Sequence, residues 1–184
     1  MKIIIINGSG GSGKDTVVEL TSSFLEDKYE IKNISTIDEV KKIASHMGWN
    51  GEKNEKGRQF LADLKTAWTN YNNGANVEVY EKILNYQSYN LNNKKELLIF
   101  IHCREPESIN WFIKKFSNEE IPVVSLFIKR AGIEKFFNEA DKNVENFNYD
   151  TVLLNHNNLD NLRLLCKDLS IFIKNWDLKD KIIV

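Results

Sequence analysis

The hydrophobic pattern of the chain switches between short continuous apolar runs and longer segments in which apolar residues recur every three or four positions. Four isoleucines at 3–6 predict a strand that is buried on both faces of a sheet. Similar apolar runs within 96–103 and 122–129 predict two further buried strands. A roughly alternating segment at 29–35 predicts an edge strand, and residues 152–154 predict the last core strand.

Helical periodicity occupies most of the segments between these strands. We predict helices at 16–28, 57–71, 77–86 and 159–176, one after a cap at Ser35 or Thr36, and one starting at Pro106. This alternation predicts a single α/β domain over residues 1–184, a mainly parallel five-stranded sheet with helices on both faces. Three helices fall within 36–88, which is more than a plain crossover needs. We therefore expect 36–88 to be a helical insertion between two strands.

A glycine-rich loop follows the first strand. Gly8, Gly13 and Lys14 have the spacing G-x-x-x-x-G-K of a phosphate-binding loop, between a predicted strand and a predicted helix. Glycines let backbone N–H groups converge on phosphate oxygens, and Lys14 adds a full positive charge. The alternative is a glycine-rich turn with an incidental lysine. The loop predicts an ATP site formed by Gly8, Ser9, Gly10, Gly11, Ser12, Gly13, Lys14, Asp15 and Thr16.

The residue after the lysine departs from the usual motif. Ser or Thr is expected there as a Mg²⁺ ligand, but this chain has Asp15, followed by Thr16. A carboxylate is also a hard oxygen ligand, so Asp15 is a candidate to hold Mg²⁺ directly or through water. The alternative is that Asp15 only stabilises the start of the helix by its negative charge.

Charge and composition exclude several classes of partner. The 184 residues carry a formal net charge of −1, and the isoelectric point is about 6.3, which gives no electrostatic case for nucleic acid or membrane binding. Cys103 and Cys166 lie far apart, which indicates reduced thiols and no metal site. We see no signal peptide and no apolar run of membrane-spanning length, so we expect a cytoplasmic protein.

Polar and basic residues follow the predicted strands. Ligands of open α/β sheets gather beyond the carboxyl ends of the strands, and Arg104 and Arg130 fall there. Arg58 and Lys65 lie two turns apart on one helix face. They either line the pocket of a second substrate, the phosphate acceptor, or form a solvated surface. Asp38, after the second strand, is a further candidate for acceptor binding.

Taken with these residues, the chain resembles the nucleoside monophosphate kinases among the P-loop proteins. The run Ser12-Gly13-Lys14-Asp15-Thr16 is similar to that of phage deoxynucleoside monophosphate kinases, including the unusual aspartate. Residues 104–112, an arginine followed by an Ile-x-Trp-Phe helix, are similar to animal-type phosphomevalonate kinase, as are residues 145–150 and the closing helix. The likeness covers most of the chain, but only the phosphate loop is highly specific.

The resemblance implies a P-loop three-layer sandwich with strand order 2-3-1-4-5 and a reaction that phosphorylates an acceptor already carrying a phosphate. It implies that the insertion 36–88 builds the pocket of the acceptor. It also implies that Arg104 holds the acceptor phosphate and that Arg130 reaches the transferring phosphate from a short lid, 131–148. In that family the third strand often ends in an aspartate that orders the metal's water shell. Here His102 or Cys103 stands at that position, and neutral imidazole is a poor ligand for Mg²⁺.

These features lead to one main hypothesis and two alternatives. The main one is a cytoplasmic kinase that uses ATP and Mg²⁺ to phosphorylate a nucleoside or deoxynucleoside monophosphate, with Lys14, Arg104 and Arg130 as catalytic residues. The first alternative is a kinase for a non-nucleotide phosphate, phosphomevalonate-like or dephospho-CoA-like. The second is an ATP-binding sensor or switch without efficient transfer, which the missing strand-end aspartate favours.

Overall fold

The four isoleucines lie in β1 (Lys2–Asn7), the central strand of a five-stranded sheet in which all neighbouring strands are parallel. The strand order is β2-β3-β1-β4-β5, so the predicted order and direction are confirmed. The other strands are β2 (Tyr29–Ser35), β3 (Glu96–His102), β4 (Val123–Arg130) and β5 (Thr151–Asn155). Because every strand runs the same way, all five carboxyl ends meet at one edge of the sheet.

This computed structural model describes residues 1–52, 54–91, 93–130, 132, 144–156 and 158–176. The described residues contain six α-helices, of which the last follows β5. The helices are α1 (Lys14–Ser23), α2 (Asp38–His46), α3 (Glu55–Asn72), α4 (Gly74–Asn90), α5 (Pro106–Ser117) and α6 (Leu159–Asn175). A single 3₁₀ turn, Val144–Asn146, precedes β5. None of the helices in these ranges is long and apolar enough to span a membrane.

Alternate side chains of β1 pack into two separate cores. Ile4 and Ile6 lie in the core covered by α1 and α6, whereas Ile3 and Ile5 lie in the core covered by α4 and α5. All four are fully buried. The uninterrupted apolar run in the sequence is therefore explained by helices on both faces, as predicted.

Three details differ from the sequence-based predictions. Val152 and Leu154 are 53% and 48% exposed, so the interpretation of 152–154 as a core strand was wrong for two of its three residues. The reason is that β5 is an edge strand, and only Leu153 reaches the core. Helix α1 ends at Ser23 instead of residue 28, and α4 starts three residues before the predicted position.

The start of α2 is also built differently from the prediction. Neither Ser35 nor Thr36 caps this helix, because Ile37 stands at the cap position without a side-chain hydrogen bond. Instead, Asp38 in the first turn reaches back, and its Oδ2 accepts a hydrogen bond from the Ser35 N–H at 2.9 Å. This contact fixes the turn by which the chain leaves β2.

The segment between β2 and β3 consists of α2, α3 and α4, and α3 packs against both of the others. This agrees with the three helices expected in 36–88. Of the predicted lid, 131–148, the structure describes only Gly132 and 144–148, so the remainder of that prediction lies outside the described residues.

Candidate phosphate-binding site

The phosphate loop joins β1 to α1 by a backbone path that requires glycine at two positions. A Cβ on Gly8 would lie 2.5 Å from the carbonyl oxygen of Ile128, and Gly8 has a φ of 152°. Gly13, the N-cap of α1, has a φ of 94°, in the left-handed region that favours glycine. The helix has no side-chain cap. Its first backbone N–H groups are thus directed to the space above the loop.

The ammonium group of Lys14 lies over this same loop. Its Nζ donates to the carbonyl oxygens of Gly8 at 2.5 Å and Ser9 at 2.9 Å, and it lies 3.5 Å from the Ser12 hydroxyl. The loop therefore holds the full charge of Lys14 at its mouth, which is the position needed to meet a phosphate bound by the loop's N–H groups.

The two candidate metal ligands follow in the first turn of α1. The Asp15 side chain is 96% exposed, and its Oδ1 lies 4.0 Å from Nδ1 of His102. Thr16 is partly buried. Mg²⁺ bound with a nucleotide takes one or two protein oxygens, the remainder coming from phosphates and water, so an accessible carboxylate and a hydroxyl fit this ion. No group of three or more His, Cys, Asp or Glu side chains that could hold a metal occurs within the described ranges.

His102 ends β3 between the phosphate loop and the turn after β2. Burial is the main reason why its pKa lies below the ordinary value of 6.5. The charges of Lys14 and Arg104 add to this lowering, whereas the carboxylates of Asp15 and Asp38 oppose it. His102 is thus a neutral imidazole surrounded by four charged side chains that come from three separate segments. Its Nε2 is buried without a hydrogen-bond partner among the described side chains and backbone.

The turn after β3 carries Arg104 and is tied to the phosphate loop by Asn7. The Nδ2 of Asn7 donates to the carbonyl oxygen of Arg104 at 3.1 Å and to the hydroxyl of Tyr149 at 2.6 Å. The Gly8 N–H donates to the Oδ1 of Asn7 at 2.7 Å. Arg104 itself is partly buried. The strand end predicted to hold the acceptor phosphate therefore lies beside the loop.

Two further strand-end side chains contact the phosphate loop directly. Arg130, the last residue of β4, donates from a guanidinium N–H to the carbonyl oxygen of Gly11 at 2.8 Å. Asn155, the last residue of β5, donates from Nδ2 to the carbonyl oxygen of Ser12 at 3.0 Å. The ends of β4 and β5 therefore hold backbone carbonyl groups of the loop in place.

Lys65 on α3 is buried, which differs from the solvated surface that was one of its two interpretations. Its Nζ donates to the Thr36 hydroxyl at 2.7 Å and to the Glu105 carboxylate at 2.5 Å. Partial burial alone would raise the pKa of Glu105, but the charge and hydrogen bond of Lys65 outweigh it, and the pKa lies below 4.5. The neighbouring thiol of Cys103 is buried, which raises its pKa to about 12.

Two other residues predicted to bind the acceptor, Arg58 and Asp38, make fewer side-chain hydrogen bonds than Lys65 does. Arg58, two turns before Lys65, is exposed. Its backbone N–H donates to the carbonyl oxygen of Asn54 at 3.0 Å, and its side chain makes no hydrogen bond or ion pair within the described part of the chain. Asp38 accepts the hydrogen bond from Ser35 and belongs to the charges around His102. That Arg58, Lys65 and Asp38 bind an acceptor stays a prediction.

Sequence reasoning assigned no role to four side chains of this region: Asn7, Glu105, Tyr149 and Asn155. Asn7 and Asn155 lie at predicted strand ends, where ligands are expected to gather, but their position alone does not show which groups they contact. Glu105 and Tyr149 give no such signal. Their partners, Lys65 and Asn7, are 40 and 142 residues away in the sequence.

Comparisons with known proteins support the fold. No family model matches the sequence, and no curated protein matches it. The crystal structure of APE1195 is similar, with 13% identity, a TM-score of 0.51, and coverage of 94% of this chain and 95% of that one. At this identity the likeness shows the fold alone.

Two further solved structures have lower TM-scores. One is thymidylate kinase from Ehrlichia chaffeensis, with 15% identity, a TM-score of 0.46, and coverage of 91% of this chain and 97% of that one. The other is the Mycobacterium tuberculosis APS kinase CysC in complex with AMPPNP and APS, with 14% identity, a TM-score of 0.44, and coverage of 91% and 96%. TM-scores below 0.5 carry no argument about this chain. Its fold is therefore that of a P-loop protein by its own topology, with order 2-3-1-4-5 and a glycine loop after the central strand.

Proposed function

We propose that this protein is a kinase that transfers the γ-phosphoryl group of ATP to a small acceptor that itself carries a phosphate. The favoured acceptor is a nucleoside or deoxynucleoside monophosphate. The observation that carries the proposal is that three basic residues lie around one glycine loop. Lys14 contacts the loop's carbonyl oxygens, and Arg130 contacts Gly11. Arg104 lies in the turn held by Asn7, where its charge acts on His102. Phosphoryl transfer depends mainly on positioning and on positive charge around the transferring group, so this arrangement suits it.

On the ATP side, residues 8–16 would bind the β- and γ-phosphates through the loop's N–H groups. Phosphate oxygens would replace the carbonyl oxygens of Gly8 and Ser9 as partners of Lys14. A Mg²⁺ ion held by Asp15 and Thr16 would neutralise part of the phosphate charge. Arg130, already on the rim of the loop, would turn from Gly11 towards the γ-phosphate.

On the acceptor side, Arg104 would hold the acceptor phosphate with the two-pronged hydrogen bonding that guanidinium groups make. An oxygen of that phosphate would attack the γ-phosphorus while the bond to the β-phosphate oxygen breaks and ADP leaves. A phosphate monoester is largely deprotonated at neutral pH, so its attack needs no base. The helices of 36–88, with Asp38, Arg58 and Lys65, would shape the pocket for the remainder of the acceptor, and 131–148 would close over it.

The direct test is ADP release measured with a coupled assay on a panel of phosphate esters: nucleoside and deoxynucleoside monophosphates, phosphomevalonate and dephospho-CoA. We expect at least one member to stimulate turnover, and stimulation by a non-nucleotide alone would select the alternative acceptor class. Lys14→Ala should reduce kcat/KM by about a hundredfold or more, because it removes the loop's own cation. Lys167→Ala, at an exposed position of α6, serves as the matched control. Unchanged ATP affinity and turnover in Lys14→Ala would overturn the site assignment.

One observation favours a second function, a nucleotide-binding sensor without efficient transfer. The buried end of β3 carries the neutral His102 instead of a carboxylate, which leaves Asp15 as the accessible acid beside the loop. ATP binding without acceptor-stimulated turnover on any panel member would support the sensor and contradict the kinase.

A further inference from the structure

We propose that Asn7 is a positioning residue that couples the phosphate loop to the turn carrying Arg104. The proposal rests on the proposed function only in assigning phosphate binding to residues 8–16. Asn7 is uncharged and lies outside the loop motif. Its role would be to make the position of Arg104 depend on whether a phosphate group is bound in the loop.

The side chain of Asn7 uses both ends of its amide. The residue is completely buried. Its Oδ1 accepts from the Gly8 N–H at 2.7 Å, whereas its Nδ2 donates to the Arg104 carbonyl at 3.1 Å and to the Tyr149 hydroxyl at 2.6 Å. One rigid planar group therefore connects the first peptide of the loop to two segments that are distant in sequence.

Each of these two segments is itself held from its far side. The residue after Arg104 is Glu105, which pairs with Lys65 of α3. The hydroxyl of Tyr149 donates to the carbonyl oxygen of Val144 at 2.7 Å, in the 3₁₀ turn before β5. Movement of the Asn7 amide thus reaches the helical segment between β2 and β3 on one side and the chain before β5 on the other.

Burial makes this junction stiff. A buried amide that lost a partner would be left with an unsatisfied polar group, which is costly where no water is available. The backbone of β1 is fixed by its register, with Ile6 opposite His102, so the Asn7 side chain has little freedom to follow the loop alone. A phosphate that orders the Gly8 peptide should therefore also order the Arg104 turn, and the acceptor would then bind at a smaller entropic cost.

Two variants separate this role from general destabilisation. Asn7→Ser keeps a small hydroxyl near the Gly8 N–H, introduces no charge beside the phosphates, and is too short to reach Arg104 and Tyr149. Tyr149→Phe keeps the ring stacked on Phe127 and removes only the hydroxyl. Ser170→Ala is the matched control, because Ser170 is a buried polar residue of α6 whose hydroxyl bonds within its own helix.

The experiment is amide hydrogen exchange with and without ADP. Without ligand, we expect Asn7→Ser to increase exchange at residues 103–105 by about tenfold over Ser170→Ala, the size of one lost buried hydrogen bond. With ADP, the wild-type chain should gain protection in residues 8–16 and also in 103–105. In Asn7→Ser, protection should remain in the loop and disappear from 103–105, and Tyr149→Phe should show a weaker loss.

Several results would overturn the coupling. Without ligand, the coupling is contradicted if residues 103–105 exchange at the same rate in Asn7→Ser as in Ser170→Ala. With ADP, it is contradicted if residues 103–105 become fully protected in Asn7→Ser, or if they gain no protection in the wild-type chain. Absence of ADP binding to the wild-type chain would instead contradict the proposed function, and the unliganded comparison would still decide whether Asn7 fixes the turn. If Asn7→Ser does not fold, the same comparison on Tyr149→Phe decides.

Discussion

The phosphate loop and the Arg104 turn lie side by side at the ends of β1 and β3, but they are built by different means. The loop is one continuous stretch whose shape comes from backbone conformation, with glycines where other residues would clash. The turn is shaped by side chains from separate segments, above all by Asn7 and by the Lys65–Glu105 pair. The loop should therefore be sensitive to added atoms, and the turn to lost charges and hydrogen bonds.

The largest effect on stability should come from removing the negative member of the ion pair. The Lys65 side chain is 9% exposed and that of Glu105 is 42% exposed. Glu105→Gln leaves a buried ammonium without a counter-charge and should lower the free energy of unfolding by about 3 kcal/mol. Lys65→Met leaves a carboxylate that water can reach, so about 1 kcal/mol is expected. Urea unfolding of both single variants and of the double variant measures these values.

The double variant is the control for this asymmetry. Lys65→Met with Glu105→Gln should recover most of the stability, because no buried charge remains. Equal decreases in the free energy of unfolding of the two single variants would contradict the idea that the buried charge of Lys65 makes the loss of Glu105 more costly.

Acid should lower the free energy of unfolding by a smaller amount than Glu105→Gln does. The pKa of Glu105 lies below 4.5, so its stabilising charge is fully present above pH 4.5 and is lost as the pH falls through the lower, folded-state value. Thermal unfolding between pH 6 and pH 3 should therefore show a steeper loss of stability in the wild-type chain than in Lys65→Met with Glu105→Gln. Parallel curves would exclude Glu105 as a contributor to acid sensitivity.

An added methyl group at Gly13 tests the backbone side of the comparison. Its Cβ would lie 2.8 Å from the Asn155 amide, and the residue would have to keep a φ of 94°. We expect Gly13→Ala to cost about 2 kcal/mol and to abolish ATP binding, because strain at a left-handed position disturbs the loop. Gly48→Ala has a similar φ of 97° with open space around it, so it isolates the conformational part. Intact ATP affinity in Gly13→Ala, measured by calorimetry, would contradict a backbone-built phosphate site.

The smallest effect on stability is expected at Arg58. Because this side chain is exposed, Arg58→Ala should change the free energy of unfolding by less than about 0.5 kcal/mol. If Arg58 lines the acceptor pocket, the acceptor KM should rise about tenfold while kcat stays the same. Lys56→Ala, also exposed on α3, should change neither value. An unchanged KM in Arg58→Ala would remove this residue from the acceptor site.

The contrast between a contiguous loop and a turn built from distant side chains also explains which features could be predicted from the sequence. The fold was predictable because strands buried on both faces leave apolar runs and covering helices leave a regular period. The phosphate loop was predictable because its glycines and Lys14 are contiguous. The state of Lys65 was not, since its partner Glu105 lies 40 residues later and nothing local distinguishes a buried lysine from a solvated one. Asn7 carried a positional signal only, as a polar residue at the end of an apolar strand.

The two cysteines have a practical consequence for following motion in this molecule. Cys103 and Cys166 are both buried, and burial raises the pKa of each thiol, to about 12 for Cys103. Since the thiolate is the reactive form, neither should be alkylated quickly at neutral pH in the folded chain. A cysteine placed at an exposed site such as Lys56 would therefore be labelled selectively without first replacing the native ones. A fluorophore there could report whether α3 moves when nucleotide and acceptor bind.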